Sequence, residues 1–391
     1  MPYDFSKIID RTGTNSYKYD LRDKLFGTED IFPMWVADMD FATPDFVMNS
    51  LKDRMNHPIL GYTLRSNEFN ESIAEWLMYK HKWNIKEEWI SFAPGVVPAL
   101  NLLVLAFTHP GDKIIVQPPV YFPFFSAVKN HQRILVNNPL KLVNNRYEMD
   151  FNDLRAKIDK DVKMLFLCSP QNPGGMVWQK DTLTELAAIC LENKILLVSD
   201  EIHADLVYKG FSHIPTASLG KEILMQSITC MAPSKTFNTA GLSTSYLIIP
   251  NKQLRDRYNS TLDHVHVGAG NIFGDEALIA AYKNGREWLN ELMAYLKDNL
   301  DYATSFLQEQ IPKIRPITPE ATYMLWLNCT GLKLNASNLN KFLIQKAKLG
   351  LSNGSLFGQD GRGFQRMNFA CPRSNLEQAL AGLKSAVENL E

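Results

Sequence analysis

Three side chains, an amine, a carboxylate and an amide, stand at the ends of apolar runs and are the best-placed chemistry in this chain. Lys235 lies in Ser227-Ile-Thr-Cys-Met-Ala-Pro-Ser-Lys-Thr-Phe-Asn, where a strand-like segment stops and a turn of small residues presents one primary amine. Asp200 lies in Ser199-Asp-Glu-Ile-His203, and Asn172 opens Asn172-Pro-Gly-Gly175; both follow apolar runs upstream of the lysine. Taken alone, Lys235 could cap a strand end, pair with a buried carboxylate, or react, because a lysine is seldom buried without a reason. Its company favours reaction. Groups at successive strand ends meet where open α/β sheets bind ligands, beyond the carboxyl ends of the strands.

A fourth element completes the set. Ala93-Pro-Gly95-Val96-Val97 runs from a strand through glycine into a helix start, where free N–H groups and the helix dipole favour a phosphate dianion. Pyridoxal phosphate asks for these parts together. Lys235 would hold its aldehyde as a Schiff base and later move the substrate α-proton. Asp200 would face the pyridine nitrogen, and Asn172 with His203 would donate to the phenolate oxygen. Each piece has a plain alternative as an ordinary turn; it is their order and combination that carry the reading.

The elements that must position these groups follow from hydrophobic patterning. Short apolar runs at 90–93, 113–117, 133–136, 163–168, 195–199, 228–231 and 245–249 read as strands, several apolar on both faces. Helical patterns at 97–107, 150–158 and 181–192 lie between them, with Asp150 and Asp181 as expected N-caps. The alternation predicts an α/β fold with a mostly parallel sheet between helices. Residues 271–310 read as helix with a break near Gly285, followed by a smaller α/β unit with strands at 323–327 and 365–369, a helix at 336–347 and a terminal helix from Ser374. The expected division is an N-terminal segment (1–49) packing with the small unit, a large cofactor-binding domain (50–285) and a small domain (286–391).

Composition narrows the partners. The 391 residues carry a formal net charge of −1 with Lys and Arg dispersed, which gives no electrostatic case for nucleic acid or an anionic membrane. The opening Met1-Pro-Tyr-Asp-Phe-Ser has charge where a secretory leader needs apolar residues, and the most apolar stretch, 96–107, is too short to span a bilayer. A cytoplasmic location is expected. Five cysteines without a CxxC read as free buried thiols, and His264-Val-His266 has no third ligand nearby, so no metal is expected.

With these residues in view, the chain resembles fold-type I pyridoxal phosphate enzymes of the class I/II aminotransferase superfamily over roughly residues 30 to 385. Met34-Trp-Val-Ala-Asp-Met-Asp-Phe41, Asp200-Glu-Ile-His-Ala-Asp205 and Arg366-Met-Asn-Phe-Ala-Cys-Pro-Arg373 are most similar to the MalY/PatB-like branch of cystathionine β-lyases and other carbon–sulfur lyases. The resemblance implies that Tyr62, in Gly61-Tyr-Thr, reaches the neighbour's cofactor phosphate in a homodimer with shared sites; a helix-entry aromatic is the alternative. It implies that Tyr121 stacks on the cofactor ring and takes part in catalysis, with a core aromatic as the alternative. It implies a phosphate ligand at Ser234 beside Gly95, Val96 and Val97. It places the substrate carboxylate on Arg366 with Asn172, and Trp35 and Asp38 on the substrate side. Arg373 reads as structural.

Two departures bear on the reaction. Many relatives have serine three residues before the lysine and arginine eight after it; here these are Ala232 and Ser243, and His203 stands where aminotransferases place tyrosine. These departures accord with a lyase that eliminates a thiol from cystathionine- or cysteine-type amino acids, giving pyruvate and ammonia. An aminotransferase is the alternative, since both paths use the same residues. A non-catalytic regulatory module is disfavoured, because every catalytic position is filled and no basic helix-turn-helix segment is evident.

Overall fold

The computed structural model describes residues 3–390. Its centre is a seven-stranded sheet in the order Ile90–Ala93, Ser245–Ile248, Ser227–Met231, Leu196–Asp200, Val162–Cys168, Lys113–Val116, Ile134–Asn137. Five of these run parallel, from Ser227–Met231 to Ile134–Asn137. Ser245–Ile248 is antiparallel to both of its neighbours. The strands are apolar on both faces because helices cover both. Met164, Phe166 and Cys168 pack toward helix Val96–Phe107, while Leu165 and Leu167 pack toward helix Lys180–Glu192. All seven expected strands are present, with ends shifted by a residue or so.

Register brings the chemistry together. Asp200 lies opposite Cys168 on one side and Cys230 on the other, so the three neighbouring strands end nearly level. Asn172 is four residues beyond Cys168 and Lys235 five beyond Cys230. Short exits from level strand ends can reach only one small region, and all three groups meet there.

Asp150 caps helix Phe151–Lys157 by accepting from Asp153 N. Asp181 is not a cap: the second helix starts one residue earlier, behind Gln179, and Asp181 sits in its first turn, where its charge suits the helix dipole. The break at Gly285 separates helices Ile272–Asn284 and Arg286–Gln310. Glycine is needed there for space, since a Cβ would lie 2.3 Å from the ring of Phe237, two residues past Lys235. The four-stranded antiparallel sheet that follows, in the order Arg315–Ile317, Met324–Asn328, Phe364–Asn368, Ser352–Asn353, carries Arg366 on an inner strand. Phe32–Pro33 pairs in parallel with Leu349–Gly350 of this unit, whereas helix Asp45–Met55 packs on Ile272–Asn284. Helices Asp45–Met55 and Lys252–His264 and the hairpin of Lys141–Val143 with Arg146–Glu148 carried no clear signal in the sequence. All five cysteines are buried and unpaired. No described helix is long and apolar enough to cross a membrane.

Candidate active site

A cavity of about 310 Å³ opens at the level strand ends, near the lower limit of the ~300–1,000 Å³ typical of small-molecule sites. Gly95, Val96, Val97, Tyr121, Asn172, Asp200, His203, Ser234 and Lys235 all line it. At one end stands the N-terminus of helix Val96–Phe107. Gly95, its N-cap, has φ +140°, a conformation that disfavours side chains, and a Cβ would crowd Pro98 Cδ at 3.2 Å. The Val96 and Val97 N–H groups have no partner within the helix, and Pro98 has none to offer. The hydroxyl residues Ser234, Ser243 and Thr244 stand around the same end. Thr244 was not singled out in the sequence, and nothing local marks it.

Lys235 is half-buried in the cavity wall, and its Nζ donates to Ala37 O at 2.8 Å. Burial lowers its pKa to about 8; Arg366 pushes the same way, while Asp38 and Asp200 oppose. Asp200 is 5% exposed, and its Oδ1 accepts from Ile202 N at 3.1 Å. Burial raises its pKa to about 7, against the Ile202 hydrogen bond and the nearby Lys235. His203 is a neutral imidazole, held down to about 3 by burial and then by the charges of Lys235 and Arg366. Its Nδ1 is buried with no partner. Such an atom is costly unless something in the cavity meets it.

Arg366 is 3% exposed. Its Nη1 donates to Asn172 Oδ1 at 2.9 Å, and its Nη2 to Trp35 O at 2.9 Å and Ser352 Oγ at 3.3 Å. The guanidinium sits 4.9 Å from the Phe357 ring centroid, its Nε is buried without a partner, and burial lowers its pKa to about 10. No carboxylate pairs with it among the described residues. A buried, unneutralised guanidinium is a strong receptor for an anion.

The structure also shows what the sequence did not. Residues 35–39, of which Ala37 lines the cavity, form a segment whose carbonyls are held by side chains from both units. Trp35 O accepts from Arg366, Ala37 O from Lys235 and Tyr323, Val36 O and Asp38 O from Asn368, and Met39 O from Asn238. Thus Trp35 meets Arg366 through its carbonyl, while its ring packs with Tyr17 and Phe26. Asp38 is paired with Arg11 at 2.6 Å and lines a second hollow that also touches Lys235. Tyr121 lies in the cavity wall beside Phe122, with burial raising its phenol. Arg373 is outside the cavity, holding Asn299 Oδ1 from a helix start. Tyr62 is not in the cavity of its own chain; it is fully exposed on the segment before helix Asn67–His81.

This fold and this ring of residues define a family. Residues 29–383 match the family described as aminotransferase class I and II, and the chain belongs to it. Among its relatives, cystathionine beta-lyase PatB of Bacillus subtilis is 41% identical over 384 residues, covering 98% of this chain and 99% of that protein. Cystalysin from Treponema denticola, solved with a pyridoxal 5′-phosphate cofactor, superposes with a TM-score of 0.97 at 35% identity over 100% of both chains. The pyridoxal phosphate-bound C–S lyase from Staphylococcus hominis gives 0.91 at 34% identity, over 98% of each.

Proposed function

We propose that the chain is a pyridoxal phosphate-dependent carbon–sulfur β-lyase acting on cystathionine- or cysteine-type amino acids. The observation that carries this reading is the meeting of an amine and a buried carboxylate in one cavity whose Asn172 wall is held by a buried, unneutralised arginine. The full-length likeness to C–S lyases directs it toward sulfur elimination.

The residues present fit the cofactor. The helix start at Val96 and Val97, with Ser234, suits a phosphate. Asp200 suits a pyridine nitrogen, His203 and Asn172 suit a phenolate oxygen, Tyr121 offers a ring face, and Lys235 offers an amine to the aldehyde. When bound, pyridoxal phosphate supplies a sink for the electron pair left at the substrate α-carbon.

The chain's own residues then have distinct tasks. Arg366, held by Asn172 and the Trp35 carbonyl, grips the substrate carboxylate and sets which bond at Cα is aligned for cleavage. Lys235 Nζ takes the α-proton, and the lowering of its pKa by burial favours the neutral amine that this step needs. The bond from Cβ to sulfur breaks with its electron pair on sulfur, and the Lys235 ammonium is the proton source for the departing thiolate. Loss of the thiol leaves aminoacrylate, which water converts to pyruvate and ammonia.

The division into 1–49, 50–285 and 286–391 draws support at 285 from the two separate sheets and the helix break, whereas helix Asp45–Met55 runs across the 49/50 boundary and packs on the large unit. A homodimer with Tyr62 reaching the partner's cofactor is supported by the exposure of Ile59, Leu60, Tyr62 and Leu64 on one segment. A cytoplasmic location is supported by a near-neutral composition and free thiols. Incubation of the holoenzyme with cystathionine tests the reaction. Pyruvate with free thiol in equal amounts is expected. A 2-oxo acid that keeps its sulfur, with conversion of the cofactor to its amine form, would make the chain an aminotransferase instead.

A further inference from the structure

Directly behind the wall that carries Lys235 and Asp200 lies a set of buried ionisable groups that the steps above do not use. Asp205, 4% exposed, accepts from Thr236 Oγ1 at 2.8 Å and from Trp76 Nε1 at 3.1 Å, and pairs with His81 Nε2 at 2.9 Å. Glu201, 1% exposed, pairs with His213 Nε2 at 2.7 Å and accepts from Ser199 Oγ at 2.8 Å and Thr216 N at 3.0 Å. The His81 and His213 rings meet edge to face, 5.4 Å between centroids. The two carboxylate–imidazole pairs therefore form one continuous unit.

Burying two carboxylates is expensive, and well-packed apolar residues of similar volume would hold the same elements together at no loss of stability. Stability alone therefore does not account for the unit. What distinguishes it is where it attaches. Glu201 follows Asp200 directly in the chain, and Thr236 follows Lys235 directly. Every carboxylate oxygen in the unit is met by a donor, so it has one low-energy arrangement rather than several. Burial works against ionisation of both acids, yet it is outweighed by His81, Lys80 and Thr236 around Asp205 and by His213, Thr216 and Ser199 around Glu201, so both stay below their usual range; burial lowers the His81 imidazole as well.

We propose that His81, Asp205, Thr236, Glu201 and His213 are positioning residues that set the reach of Lys235 and Asp200 into the cavity. The inference rests on the reading of Lys235 as the cofactor-holding amine. Through Thr236, Asp205 fixes the peptide that aims the lysine side chain; through Glu201, His213 fixes the peptide that aims Asp200. His81 sits at the end of helix Asn67–His81, so the unit also ties that helix to the site floor.

Thr236→Val and Thr236→Ser separate this role from packing, because valine keeps the shape and loses the hydroxyl while serine keeps the hydroxyl. Both holoenzymes are titrated with pH by the absorbance of the bound cofactor, assayed for kcat and KM, and melted. Thr236→Val is expected to move the absorbance midpoint by about half a pH unit or more and to lower kcat roughly tenfold with KM little changed. Thr236→Ser is expected to restore both. An unmoved midpoint in the valine variant, or a serine variant as impaired as the valine one, would overturn the proposal. If Thr236→Val does not fold, His81→Leu against His81→Gln is read by the same criteria. Borohydride reduction and peptide mass spectrometry of the same samples show which lysine carries the cofactor. Attachment elsewhere than Lys235 would defeat the underlying reading, whereas attachment at Lys235 with an unmoved midpoint defeats only this inference.

Discussion

Arg366 and Asn172 are 194 residues apart in sequence, yet the arginine Nη1 donates to the asparagine Oδ1 at 2.9 Å with both side chains buried. One comes from the small antiparallel sheet and the other from a turn beyond the carboxyl end of an inner strand of the large sheet. Their contact joins the two units at the point where a substrate carboxylate would have to sit.

That contact makes Arg366 sensitive to geometry as well as charge. Arg366→Lys keeps a cation but cannot reach Asn172, Trp35 O and a carboxylate together. Its kcat/KM is expected to fall by roughly 10²-fold, mostly through KM, equivalent to ~3 kcal/mol of charge-assisted hydrogen bonding. Steady-state kinetics with cystathionine check this, and a variant within threefold of wild type would contradict it.

Lys235 should cost the fold stability. Its pKa falls from 10.5 to about 8 on burial, so below about pH 8 the burial penalty of ~3 kcal/mol is fully present. Between about 8 and 10.5 the unfolded chain binds more protons than the folded one, so this group's contribution to stability rises with pH in that window. In the cofactor-free protein, Lys235→Met is expected to be about 2 kcal/mol more stable than wild type at pH 7, after ~1 kcal/mol for the lost bond to Ala37 O. The gain should disappear near pH 10. Urea melts at the two pH values measure it, and equal stability at pH 7 would be the contrary result.

At Gly95 the backbone conformation disfavours a side chain and the nearby Pro98 would crowd one. Gly95→Ala is expected to displace the helix start and weaken cofactor binding roughly tenfold to a hundredfold, with a melting temperature of the cofactor-free protein lowered by only a few degrees. Equilibrium dialysis against pyridoxal phosphate gives the answer, and unchanged affinity would remove this turn from the phosphate site.

The exposed apolar segment before helix Asn67–His81 should be covered in solution. Leu60→Asp with Leu64→Asp is expected to shift sedimentation from dimer to monomer at micromolar concentration. Mixing inactive Tyr62→Phe and Lys235→Ala subunits should restore part of the activity, because one site of each mixed dimer would be intact. A wild-type chain that sediments as a monomer would end the shared-site proposal.

The strands, the helix break at Gly285 and the residues around the cavity were legible in the sequence because short-range rules govern them. Apolar runs buried on both faces, a glycine before a helix and small residues after a strand each leave a local mark. Helix Lys252–His264 was hidden by its charge, with only Tyr258 and Leu262 buried. The segment at residues 35–39 was hidden for another reason: it is held by its carbonyls, which look alike in every sequence. Tyr323 opened the strand expected at 323–327, but the observed strand starts one residue later at Met324, and nothing nearby announced that the Tyr323 hydroxyl would meet Ala37 O.

The sequence by itself determined which groups could do the chemistry and that they would come at strand ends, since residue type and hydrophobic period are properties of short segments. Only the tertiary structure decided how those groups are aimed and charged. Level strand ends placed Asn172, Asp200 and Lys235 together, and burial moved Lys235 to about 8 and Asp200 to about 7. Asp38 was drawn into a pair with Arg11, and Tyr62 was left facing outward. Desolvation and long-range contact depend on everything packed around a side chain, and no local pattern records that.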